Sequence, residues 1–75
     1  MSGPHAAYLA DLMERGILIL AGPTWGQPVN DGVVVIEAED EDAARAVMNA
    51  DPAIGSGQMA GELREMRVSY LRGRG

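Results

Sequence analysis

Seventy-five residues with 11 acids against 6 bases, a net charge of −5 and no cysteine describe one small acidic module. A second independent core is excluded at this length, and so are a disulfide framework and a cysteine-based zinc site. All six bases are Arg, too few for the basic surface that displaces nucleic-acid counterions, and the 47% hydrophobic content argues against disorder.

The chain opens as a helix. Ser2 or Gly3 can cap it, and Pro4 suits the first turn, where its missing N–H has no partner to lose. Leu9, Leu12 and Met13 follow the spacing of one buried face, while Asp11, Glu14 and Arg15 look outward. Gly16 stands where a left-handed residue ends a helix. Residues 17–21 (Ile-Leu-Ile-Leu-Ala) then form a buried strand that stops at Gly22-Pro23. A loop rich in Gly, Pro, Asn and Asp follows, with a turn at Asn30-Asp31-Gly32. Val33 to Ile36 form a second strand, antiparallel to the first because the connection is short.

Five acids crowd residues 37–42. They read as a strand end and a helix N-terminus, where Asp40 caps and negative charge suits the dipole, in preference to a cation site. This second helix carries Ala43, Ala44, Val47 and Met48 and ends near Asp51-Pro52, since proline biases its predecessor away from helical geometry. Residues 54–57 make a Gly/Ser turn. Gln58 to Leu71 alternate in two opposite phases, as a strand with a bulge near Arg64-Glu65 does; a helix with Leu63, Met66 and Tyr70 on one side also fits. A single domain over 1–71 and a disordered tail over 72–75 follow, with Arg64, Arg67, Arg72 and Arg74 gathered at that end. The class is α+β, an antiparallel sheet with both helices on one face.

Among chemistry-bearing residues, His5 is the lone histidine. A neutral imidazole accepts a proton near pH 7, and a carboxylate beside it fixes its tautomer; on residue type alone, however, His5 reads as an exposed first-turn residue and Asp51 as a helix-ending turn residue in preference to such a pair. Tyr8 lies one turn after His5 and either meets a ligand or packs with its hydroxyl in water. Trp25, just beyond Gly22 and Pro23, either walls a pocket for a flat molecule or covers the core or a subunit contact. Ser2, Ser56 and Ser69 lack the setting of a nucleophile, no phosphate loop occurs, and neither metal nor cofactor is expected. No apolar run approaches the roughly 20 residues of a membrane span. No basic segment leads an apolar one, so a soluble, cytoplasmic protein is expected. With one small core and neither disulfide nor metal, association with a second copy is the expected remedy.

The ordered set of His5 at a helix start, Tyr8-Leu9, Gly16, an aliphatic strand, Gly22-Pro23, Gly32 before a valine strand, Ala43 in an acid-capped helix, Asp51-Pro52, Gly57 and Glu62 resembles the YciI-like family (YCII-related domain), from about His5 to about Tyr70. The resemblance implies a ferredoxin-like fold and a homodimer of the dimeric α+β barrel type, its sheets facing one another. It implies an active-site pair at His5 and Asp51, beside which Tyr8, Gly22, Pro23 and Trp25 are the candidate substrate-side residues. It also implies lyase-type or proton-transfer chemistry on a small molecule, aromatic ones included, since the family holds a dehydrochlorinase. Family members carry a strand ahead of the first helix, and here Met1 to Pro4 alone precede His5. The expected fold is therefore a truncated α-β-β-α-β form, the vacant place taken by the final strand or by a partner chain. The alternative is a non-catalytic dimer that binds a ligand or a protein.

Overall fold

The computed structural model describes residues 3–26 and 32–73. Their order is α1 (Pro4–Glu14), β1 (Leu18–Pro23), β2 (Gly32–Ile36), α2 (Glu41–Asn49) and α3 (Pro52–Gly55). This is the expected α+β class, an α-β-β-α frame with one more short helix.

Gly3 is the N-cap residue of α1 with extended backbone, Pro4 opens the first turn, and no side chain caps the helix; Ser2 lies outside the described residues. At the far end Gly16 takes φ 75°. Its N–H donates to the Met13 carbonyl at 3.1 Å, and the Ile17 N–H donates to the Leu12 carbonyl at 2.9 Å. The two bonds satisfy the last carbonyls of the helix and turn the chain into β1.

β1 pairs antiparallel with β2, Leu18 opposite Ile36 and Pro23 opposite Gly32, with an irregularity between Leu18 and Leu20. Gly22 and Pro23 belong to the strand instead of stopping it. Pro23 is tolerated because it ends the strand, where no ladder N–H is needed. The expected turn at Asn30-Asp31 lies outside the described residues.

Asp40 caps α2 as its position predicts, its side chain accepting the Ala43 N–H at 2.8 Å, with Glu41 and Asp42 in the first turn. Helix α1 packs on β1 and on α3, and α2 packs on α3. The core is small. Leu12, Leu18 and Ala53 are its buried apolar members, and Asp51 is the one buried charged residue among those described. Of the expected helix face, Leu12 is fully enclosed while Met13 is 55% exposed, because the two-stranded sheet is too narrow to cover it.

Residues 58–71, expected as the last strand with a bulge near Arg64-Glu65, take part in no ladder among the described residues. A strand exists through its pairing, and the sheet here consists of β1 and β2. The one irregularity in pairing lies instead in β1. No helix is long and apolar enough to cross a membrane among the described residues.

Candidate functional site

Between α2 and α3 the chain makes a proline-directed break. Pro52 keeps Asp51 out of helical geometry (φ −65°, ψ 124°), so α2 ends and the proline itself becomes the first residue of α3. Asp51 is thereby the cap of α3, its Oδ1 accepting the Ala53 N–H at 2.9 Å. Its backbone carbonyl accepts from Ile54 at 3.0 Å and Gly55 at 2.9 Å. The residue is 7% exposed, and the tight turn holds its second oxygen in one place.

That second oxygen meets α1. His5 Nδ1 lies 2.7 Å from Asp51 Oδ2, across a separation of 46 residues. An ionised carboxylate only accepts, so the Nδ1–H donates, and the other ring nitrogen, Nε2, is left without a hydrogen on a neutral ring. The His5 side chain is 35% exposed and no described residue hydrogen-bonds to Nε2. Beside the ring lies an open groove of about 430 Å³, bounded by the start of α1 (Gly3, Pro4, Ala6) and by Pro52, Ala53, Ser56 and Gln58. Its walls are mostly small and apolar; the polar groups that border it are His5, the Ser56 hydroxyl and Gln58.

Tyr8 has a different partner from the one its place suggests. Its hydroxyl donates to the Val47 carbonyl at 2.7 Å. In an uninterrupted helix that carbonyl would accept from the Asp51 N–H, but Asp51 donates to Met48 instead at 3.2 Å. Tyr8 thus satisfies a carbonyl that the end of α2 leaves open, and ties α1 to the turn that carries Asp51. Burial pushes the Tyr8 hydroxyl above the ordinary tyrosine range; Arg15 opposes the rise, and Asp51 and Asp11 add to it.

Gly22 and Pro23 lie in β1 and Trp25 just after it, 85% exposed; none of the three borders the groove beside His5. The groove residues that sequence reasoning passed over are Ser56 and Gln58. The signal for Ser56 lies in Gly55-Ser56-Gly57, a Gly/Ser turn by sequence, where Gly55 ends α3, Ser56 is its C-cap residue and Gly57 follows at φ 83°. No group of His, Asp and Glu residues has the arrangement of a metal centre among the described residues.

The family model of the YCII-related domain matches residues 1–68. No curated protein and no solved structure matches the chain.

Proposed function

The chain belongs to the YCII-related domain family, and from that premise we propose that it is a small proton-transfer protein of lyase type in which His5 is the working base or acid. The observation that carries this reading is the 2.7 Å contact between His5 Nδ1 and Asp51 Oδ2, in a histidine that lines the groove. Asp51 orients the ring and fixes its tautomer, and Nε2 takes a proton from a carbon or hydroxyl of a small molecule lying on Pro4, Ala6, Pro52 and Ala53. Loss of a leaving group from the adjacent atom completes an elimination; return of the proton elsewhere completes an isomerisation. Flat and aromatic molecules suit a shallow apolar wall of small residues, and the family resemblance points the same way. Neither step requires a cofactor.

The second part of the proposal is that the protein works as a homodimer in the cytoplasm. A folded monomer of 7.9 kDa exposes roughly 4,400 Å². This chain exposes 6440 Å², with Ile19, Leu20, Val33 and Val34 of the sheet each at least 44% exposed. These exposed apolar side chains are the surface that a second copy would cover.

The test is the tautomer of His5, read from the ring nitrogen shifts in NMR with the ring neutral. One histidine gives one set of signals. The expected state carries the proton on Nδ1. In Asp51→Asn the α3 cap is kept, since Asn caps as well as Asp, and the proton is expected to move to Nε2 because the amide now donates to Nδ1. A wild-type ring with its proton on Nε2 overturns the reading. With the tautomer in place, loss of turnover in His5→Ala during a screen of small halogenated and hydroxylated aromatics identifies an enzyme. Ligand binding without turnover identifies the non-catalytic module that the openness of the groove favours.

A further inference from the structure

The last part of the chain leaves the folded body at a defined point. The Met59 N–H donates to the Ala53 carbonyl at 2.9 Å. At Gly61 a Cβ would lie 2.7 Å from Met48 Sδ and 3.2 Å from Ile54 Cδ1, so the backbone is pressed onto α2 and α3 there. Beyond that anchor, among the described residues, no backbone hydrogen bond joins 62–70 to the rest of the chain. Met66, Val68 and Tyr70 are 67%, 45% and 96% exposed. They alternate, as side chains on one face of a strand do. An open row of N–H and C=O groups beside alternating apolar side chains is a template for another strand.

We propose that this strand is the same segment of a second copy, and that residues 61–71 of two chains pair antiparallel about a two-fold axis at Met66. The proposal deepens the homodimer of the preceding reading by naming a contact for it. Charge favours this occupant and narrows the register. The whole chain is acidic, which opposes self-association, but 62–70 holds two Glu and two Arg and is neutral. A two-fold axis perpendicular to a strand pair sets its central residue against itself. Centring at Arg64, Glu65 or Arg67 therefore opposes like charges. Centring at Val68 sets Arg64 against Arg72 of the other copy. Centring at Leu63 draws in Met59 and Gly61, which are already committed to Ala53, Met48 and Ile54. Centring at Met66 sets Glu65 of each copy against Arg67 of the other and Arg64 against Val68, where the Arg stem covers the apolar side chain. One face of the ladder then carries Met66, Val68 and Tyr70 from both chains.

The experiment is sedimentation of the full chain across a concentration series, as wild type, Glu65→Arg, Arg67→Glu and the double variant. The wild type is expected to dimerise. Each single change puts like charges opposite one another at two symmetric places and is expected to weaken the dimer on the order of tenfold or more. The double variant restores the pairing with the signs exchanged and is expected to recover the dimer. Both positions are exposed, and an unchanged helical circular dichroism spectrum certifies each fold. Single variants that dimerise like the wild type overturn the ladder while leaving a dimer through the sheet faces standing, and a double variant as weak as the singles also overturns it. A wild type that stays monomeric overturns both the ladder and the homodimer, while the His5 tautomer is read independently of either.

Discussion

Asp51 and Tyr8 carry the most structure per side chain. The tyrosine closes a carbonyl that the break after α2 opens, so its removal leaves Val47 unpaired in a half-buried crevice. Tyr8→Phe is expected to cost about 1–2 kcal/mol in urea denaturation, the range for losing one partner of such a bond. A pH dependence accompanies it. The folded hydroxyl titrates above its unfolded value because burial disfavours the phenolate. The associated stability is therefore complete below the unfolded value of about 10 and is lost as pH rises through the folded one. The wild type is expected to lose stability more steeply than Tyr8→Phe in that alkaline window, measured as denaturation midpoints against pH. Equal slopes would remove this linkage.

The elements divide by how local their causes are. The bounds of α1 and α2 were legible because their signals are adjacent in sequence: Pro4 and Gly16 for one, Asp40 and Asp51-Pro52 for the other. The cap makes a direct test. Asp40→Ala is expected to lower stability by about 1 kcal/mol with the sheet unaffected, visible as reduced helical signal and a lower denaturation midpoint. Helix α3 was not legible. Four residues are too few for an apolar period, and a helix so short persists through its cap and its packing on α1 and α2. The His5–Asp51 pair came from family resemblance and not from spacing, because 46 residues of chain separate the partners. The ends of β1 and the role of Tyr8 were illegible for the same reason. Gly22-Pro23 looks like a stop until Gly32 pairs opposite, and the Tyr8 hydroxyl has no visible acceptor until α2 ends one residue early. Residues 58–71 have the alternation of a strand, but alternation specifies a face and leaves the neighbour open.

At the scale of the whole molecule, the three buried apolar residues among those described are few to offset the ordering of the rest. Stability that comes from assembly depends on protein concentration by mass action. The thermal midpoint is expected to rise by several degrees between micromolar and millimolar protein, recorded by circular dichroism. A midpoint independent of concentration would assign the stability to the monomer and remove the need for a partner. The exposed ion pairs, Arg15 with Asp11, Arg45 with Glu41 and Arg64 with Glu62, contribute little to this balance because water screens them.

One carboxylate serves two masters: Oδ1 of Asp51 starts a helix and Oδ2 holds the histidine. The start of α3 and the orientation of His5 therefore draw on the same residue, and only a change that keeps a capping oxygen, as Asp51→Asn does, alters the second while sparing the first. His5 is under no such double constraint, since the α1 N-terminus is organised by Gly3 and Pro4. Under the proposed function, a descendant that abandoned the reaction would be free to replace the histidine but would retain an aspartate, or an asparagine, to keep its fold. The same proposal makes the Asp-Pro pair a marker of architecture across relatives, and the histidine the better marker of activity.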